Sequence, residues 1–288
     1  MRFTWKIQKN ETLRRFLQRM LPLPDYRVKT LIRQEHARVE QAIVRYEGHT
    51  LFPGNVVDIE LDLESLPSVK LLYSSPRLLA VEKFPRIAVC DHPSITLTDL
   101  VRLQGYPDAQ PCHRLDAGTG GVVLFALDDE CLQWMNETFK EGSLIKEYEV
   151  IVGNPPSQQH AILEDYLLKD ALHKHVTIYH GPHAGAVPIK TEYTLLQSTG
   201  ELAKLQVILH TGRTHQIRAH LADYGHPVLG DDRYGSRALN QHFRMRIPCL
   251  WAQRILFPTI PQGEYSFLSD LQITSPAKWS EKIEGIFS

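Results

Sequence analysis

His113-Arg114-Leu115-Asp116-Ala117-Gly118-Thr119-Gly120-Gly121 runs straight into the apolar stretch Val122 to Leu127. The reading of this junction decides the fold. A short apolar run entered through paired glycines predicts a buried strand whose mouth admits a close backbone approach. A small acidic side chain at that mouth has three uses: nucleophile, general base or turn former. Spacing alone favours the turn former, because Asp-x-Gly clusters are common loop chemistry.

Outward from this junction, Leu78 to Val81 and Lys204 to His210 are further strand-like runs. In Lys146 to Val152, Tyr148, Val150 and Val152 share one face, while Glu147 and Glu149 take the other. A second dense stretch runs from His210 to Leu221 and continues through Gly225 to Asp231. It predicts a helix from near Thr214, with Ile217, Leu221 and Tyr224 on one face and a stop at Gly225-His226-Pro227. Arg213, at its start, is placed to hold phosphate together with free backbone N–H groups. Arg218 lies on a different face from Ile217 and suits pairing with a buried carboxylate. His210, His215 and His220 stand five residues apart, which does not stack ligands on one helical face, so no metal site is expected. Cys90, Cys112, Cys131 and Cys249 are too scattered for a disulfide framework or a zinc ribbon, and reduced thiols fit a cytoplasmic protein.

The 288 residues suggest two domains. Net charge is −1, yet residues 1–50 carry eleven Lys/Arg against five Asp/Glu. That asymmetry predicts a basic binding module ahead of a less basic body. Within it Leu13, Phe16, Leu17 and Met20 follow helical spacing after Thr12, with Arg14, Arg15 and Arg19 largely on the other side. Pro22 and Pro24 break the pattern, and Val28, Leu31 and Ile32 restart it. Val57, Ile59, Leu61 and Leu63 alternate as a half-buried strand, and Glu64 to Ser68 is the linker candidate. The expected division is 1–65 and 69–288, with an α+β body. No apolar run is long enough for a membrane span, and the opening residues lack a secretory pattern.

The chain is identified as resembling the RluA-type pseudouridine synthases. HRLDAGTGG at 113–121 resembles that family's H-R-L-D-x-x-T-S-G signature, and TGRTHQIRAHLADYGHPVLGDDRYG from Thr211 resembles its second long signature. Leu72 to Pro85 is similar to its opening strand pair, and Lys146-Glu147-Tyr148 to its K-x-Y element. Together these span about residues 70 to 258 in the family's order. Three departures stand out: Gly120 where Ser is usual, Phe84-Pro85-Arg86 for Lys-Pro-Ala-Gly, and Leu250-Trp251-Ala252 for Leu-His-Ala. Residues 13–59 resemble the small α/β RNA-binding module of the S-four type.

The resemblance implies a mixed, largely antiparallel sheet with flanking helices. It implies isomerisation of uridines in structured RNA (rRNA or tRNA) to pseudouridine, without a cofactor, by a monomer in the cytoplasm. Asp116 would be the catalytic carboxylate and Arg218 the cation that keeps it ionised. Tyr148 would stack on the base and serve the final proton loss at C5. Arg114 would fill the space left by the extruded uridine or hold a phosphate, assisted by His113, with Arg213 and His215 also on the substrate. Arg14, Arg15, Arg19, Arg27, Lys29 and Arg33 would meet RNA phosphates. The alternative is a non-catalytic RNA-binding protein that keeps the fold.

Overall fold

The computed structural model describes residues 2–62, 66–170 and 175–287. Contacts divide the chain into two compact units, Met1–Val69 with Ile87–Ala109 and Lys70–Arg86 with Gln110–Ser288.

The first unit holds β1 (Arg2–Lys6), β2 (Glu11–Thr12), α1 (Leu13–Met20), α2 (Asp25–Arg33), β3 (Ala37–Val39), β4 (Ala42–Ile43), β5 (Thr50–Leu51), β6 (Val56–Glu60) and α3 (Leu97–Leu103). One sheet has the order β1-β6-β3-β4, and β2 pairs with β5. The apolar periodicity explains both long helices. α1 buries Leu13, Phe16, Leu17 and Met20 behind its Thr12 cap, and α2, entered through Pro24, buries Val28, Leu31 and Ile32. The strand expected to reach Leu63 ends at Glu60, while Leu63, Glu64 and Ser65 of the expected strand and linker lie outside the described residues.

The expected boundary at 65–69 assigned residues 87–109 to the second unit, but they pack with the first. Ile95 N–H donates to the Met20 carbonyl (3.0 Å), the Trp5 indole to Pro93 (2.9 Å) and the Gln104 amide to Val69 (3.1 Å). The unit so defined contains twelve Lys/Arg and twelve Asp/Glu. The positive charge of residues 1–50 is therefore balanced within their own unit.

The second unit holds β7 (Lys70–Ser74), β8 (Leu78–Lys83), β9 (Gln110–Pro111), β10 (Gly120–Ala126), α4 (Asp129–Glu141), β11 (Ile145–Gly153), β12 (His160–Asp170), β13 (His175–Tyr179), β14 (Val187–Ser198), β15 (Leu202–Leu209), α5 (Gln216–Asp223), α6 (Arg237–Phe243), β16 (Leu250–Leu256), β17 (Gln272–Thr274) and α7 (Glu281–Glu284). Its strands form one sheet with the path β13-β12-β14-β15-β11-β16-β10-β8-β7; β17 adds to β16 and β9 to β10. Every described pairing in it is antiparallel except β10 with β16. The class is α+β with a mixed, largely antiparallel sheet. β8 and β10 are buried along their whole length, which is why Leu78–Val81 and Val122–Ala126 read as continuous apolar runs rather than alternating ones. Val122, Leu124 and Ala126 pack with Cys131 and Met135 of α4.

The mouth of β10 is shaped by its glycines. Gly121 has φ +115°, and a Cβ there would stand 2.1 Å from the Ala252 carbonyl oxygen. Gly120 lies opposite Trp251 in the parallel register, and a Cβ on it would stand 2.3 Å from the indole. Two of the departures from the family pattern are thus one exchange: the bulk missing at 120 is present at 251. The Trp251 indole N–H is secured by the Ser275 carbonyl at 2.8 Å. Gly120→Ser is expected to overpack this contact and destabilise by ~1–3 kcal/mol, read as a lower melting temperature. Adding Trp251→His should restore most of the loss. A double variant no more stable than Gly120→Ser would show that the positions are independent.

Candidate active site

The loop between β9 and β10 carries Asp116, and its backbone is anchored from below. Lys83, the fully buried last residue of β8, donates through Nζ to the carbonyls of Ala117 (3.0 Å), Thr119 (2.5 Å) and Phe84 (3.3 Å). Thr119 N–H closes a turn onto the Asp116 carbonyl at 3.0 Å, and Arg86 N–H donates to Ala117 at 2.7 Å. These contacts fix the direction in which the Asp116 side chain leaves the loop. The signal for Lys83 in the sequence is the pair of charges, Glu82 and Lys83, that ends the apolar run Leu78–Val81.

Burial pushes Lys83 from its ordinary 10.5 down to about 7, opposed by the charge of Asp116. Between those pH values the unfolded chain binds the proton and the folded chain releases it, so this residue makes stability rise with pH across that window. The melting temperature of the wild type should therefore gain on that of Lys83→Met between pH 7 and pH 9. Parallel curves for the two proteins would show that Lys83 keeps its proton.

Arg218 comes from the first turn of α5. The entry to that helix is set by His215, whose φ of 54° is left-handed, and by Gln216. Gln216 Oε1 accepts from the Arg213 N–H (3.0 Å) and the Thr211 hydroxyl (2.9 Å), while its Nε2 donates to Thr191 Oγ1 (3.0 Å). The helix itself runs from Gln216, and the Arg213 N–H just ahead of it is bonded to Gln216 Oε1.

The Arg218 guanidinium grips Asp231 with two parallel hydrogen bonds, Nε to Oδ2 (2.6 Å) and Nη2 to Oδ1 (2.9 Å). Its Nη1 donates to Asp116 Oδ2 at 2.9 Å. Asp231 is fully buried, and its Oδ1 also accepts from the N–H groups of Arg233 (2.8 Å) and Tyr234 (3.1 Å). Burial alone would lower the Arg218 pKa, but the hydrogen bonds and charges of Asp231 and Asp116 outweigh it, so the guanidinium stays charged. The same ion pair overcomes burial at Asp231 and holds its carboxyl below the usual range. The sequence suggested a carboxylate partner for Arg218; the structure gives two.

Asp116 and Arg218 line a cleft of about 640 Å³ together with Tyr148, His113, Arg114, Arg213 and His215. It thereby gathers all the catalytic and substrate residues expected from sequence. Tyr148, from β11, is buried; burial first and then the charge of Asp116 push its pKa up, so the phenol stays protonated at neutral pH. His113 accepts the Leu124 N–H at Nε2 (3.1 Å), and burial pushes it down to about 3, so its ring is neutral and fixed to β10. His215 bonds Tyr234 through Nδ1 (3.0 Å) and holds Nε2 3.9 Å from Asp116. Arg114 and Arg213 are exposed and form no ion pair among the described residues. The three evenly spaced histidines go separate ways: His210 to Glu192 (2.8 Å), His215 to Tyr234, and His220 to Asp165 (3.0 Å) and Thr191 (2.9 Å).

The basic residues expected on RNA phosphates behave differently from this set. Arg14 and Lys29 share Asp25 (2.8 and 3.0 Å), Arg19 meets Glu11 (2.5 Å) and Arg33 meets Glu47 (2.7 Å). Arg15 and Arg27 alone of the six have no ion pair among the described residues. Those three carboxylates are among the five counted in residues 1–50, but a count along the sequence does not say which cations they meet.

The family described as RNA pseudouridylate synthase matches residues 77–223. The chain belongs to this family. Within it the chain is of the RluA type, isomerases that convert uridine in RNA to pseudouridine. tRNA pseudouridine synthase C of Pasteurella multocida is 31% identical over 212 residues, covering 66% of this chain and 86% of its own. Ribosomal large subunit pseudouridine synthase C of Vibrio vulnificus is 27% identical over 240 residues, covering 76% and 75%. Two solved human structures share the fold. RNA pseudouridylate synthase domain containing 4 has a TM-score of 0.59 at 20% identity, covering 73% of this chain and 88% of its own. Domain containing 1 has a TM-score of 0.58 at 22% identity, covering 79% and 96%. No helix among the described residues is long and apolar enough to cross a membrane.

Proposed function

We propose that this protein isomerises uridines in structured tRNA or rRNA through Asp116, without a cofactor, as a cytoplasmic monomer. One observation carries the reading: the Asp116 carboxylate meets the buried Arg218 at 2.9 Å inside a cleft with room for a nucleoside. The relatives' names supply the RNA classes, tRNA for one and the large ribosomal subunit for the other.

The reaction breaks C1′–N1, turns the uracil and joins C1′ to C5. The C5 proton leaves, N1 gains one, and no atom enters or is lost overall. Such a reaction needs groups that handle charge at the sugar and move a proton, and side chains suffice for both. Asp116 acts at C1′, as a carboxylate does in glycoside cleavage. The Tyr148 ring supports the turning base, and its hydroxyl, protonated at rest, takes the C5 proton on oxygen only as it passes its own proton on, which balances the proton that N1 gains. His113, fixed to β10, holds the wall of the loop.

A paired uridine must leave its stack at a cost of a few kcal/mol, and the unpaired Arg114 at the cleft mouth fills the vacated space. The first unit, an S-four-like module, contributes Arg15 and Arg27 to the RNA, with Arg14, Arg19, Lys29 and Arg33 engaging phosphate by exchange with their carboxylate partners. A site-resolved pseudouridine map of RNA from cells with and without this protein tests the whole reading. Sites that vanish with the protein and return when purified protein is added to that RNA support it. An unchanged map, with no turnover on bulk RNA, would leave a non-catalytic RNA-binding protein.

A further inference from the structure

From Arg233 to Gly263 the chain carries five arginines and no aspartate or glutamate. Three of them, Arg237, Arg244 and Arg246, line a second cleft of about 940 Å³ beside α6. All three are exposed, and none forms an ion pair or side-chain hydrogen bond among the described residues. Two carboxylates also line this cleft. Asp231 is already neutralised by Arg218, and Asp232, 92% exposed, is 4.0 Å from the same guanidinium. Three guanidiniums facing one groove with so little countercharge repel one another, and an anion placed among them relieves that repulsion.

The walls of this cleft are fixed relative to the active site. Asn240 of α6 accepts the Gly230 N–H at Oδ1 and donates from Nδ2 to the Asp231 carbonyl, both at 2.7 Å. Gly230 has φ +81°, and a Cβ on it would stand 2.0 Å from the Ile247 carbonyl oxygen, so the loop lies directly against the Ile247 backbone. α6 is thus tied to the residue that holds Arg218, which in turn meets Asp116. An anion in the second cleft is held at a set offset from the reacting nucleotide.

We infer that the Arg237–Arg244–Arg246 cleft is a docking site for the phosphodiester backbone of the substrate RNA, flanking the uridine bound at Asp116. This rests on the proposed isomerase reading. RNA supplies what the cleft asks for: a row of phosphates, each matching the planar fork of an arginine. A lone small anion would satisfy one guanidinium and leave the others unrelieved.

The test compares full-length wild type, Arg237→Gln/Arg246→Gln and Arg237→Lys/Arg246→Lys on bulk tRNA and rRNA from cells lacking the protein. The glutamine variant should raise KM about tenfold near 0.1 M salt, with a smaller change in kcat, and flatten the slope of log affinity against log salt by about 1.4 to 1.8 for two lost phosphate contacts. The lysine variant, which keeps both charges, should recover most of the affinity. Unchanged KM and slope in an active protein would overturn the inference. So would a lowered melting temperature without lysine rescue, which would make the arginines structural. If the wild type forms no pseudouridine, the isomerase reading itself fails, and retention of the same RNA on filters still decides whether the cleft binds it.

Discussion

Asp116→Asn is expected to abolish pseudouridine formation, by a factor on the order of 10⁴ or more, while leaving the fold intact. The substitution preserves size, and the amide oxygen can still accept from Arg218 Nη1, which now approaches Asp116 Oδ2 at 2.9 Å. The buried part of the network, Arg218 with Asp231, is untouched, so the melting temperature should change little. Only the carboxylate charge in the cleft disappears. Turnover and melting temperature measured on the same preparation separate the two effects. Near-normal turnover by Asp116→Asn on any accepted RNA would remove Asp116 from the mechanism.

Arg218→Ala and Arg218→Lys should both cripple the enzyme, for different reasons. The alanine leaves Asp231, which has no solvent exposure, without the guanidinium that neutralises it. An uncompensated buried charge costs ~3–5 kcal/mol, so this variant should melt far below the wild type. Lysine returns a positive charge but has one compact ammonium, which cannot hold Asp231 with two parallel bonds and reach Asp116 with a third. Its stability should recover in part, while kcat stays down by about 100-fold because Asp116 is no longer held in place. Calorimetry with single-turnover kinetics distinguishes the two. Equal and mild losses from both changes would mean that Arg218 does not bridge the carboxylates.

Much of this site was legible because its parts lie in short contiguous stretches. The Asp116 loop, Tyr148 on its alternating strand and Arg218 on its helix each show a local pattern, and the cleft brings them together. What escaped depends on partners distant in the chain. Asp231 stood in the quoted signature, but its two-bonded grip on Arg218 exists only once the loop after α5 has folded back. Lys83 gained meaning from three carbonyls, two of them more than thirty residues away.

The same reasoning explains the misread boundary. Nothing in Ile87–Ala109 as a sequence says that Ile95 will bond Met20, a contact across more than seventy residues. The basic segment is a related case. A charge count cannot tell Arg33, which Glu47 meets at 2.7 Å, from Arg27, which has no ion pair among the described residues.

The division of Arg218 between two carboxylates also sets the sign of the local potential. Asp231 cancels the guanidinium charge by itself, so the set of Asp116, Arg218 and Asp231 carries one net negative charge. Such a centre draws positive character onto a sugar carbon, and for the same reason it pushes a phosphate away. Capture and chemistry therefore call for fields of opposite polarity. Under the proposed reaction, solvent-facing guanidiniums such as Arg114 and Arg213 supply the attractive field, which ions of the medium damp over a screening length of about 8–10 Å. Added salt should slow the arrival of RNA well before it alters what happens to a uridine already seated.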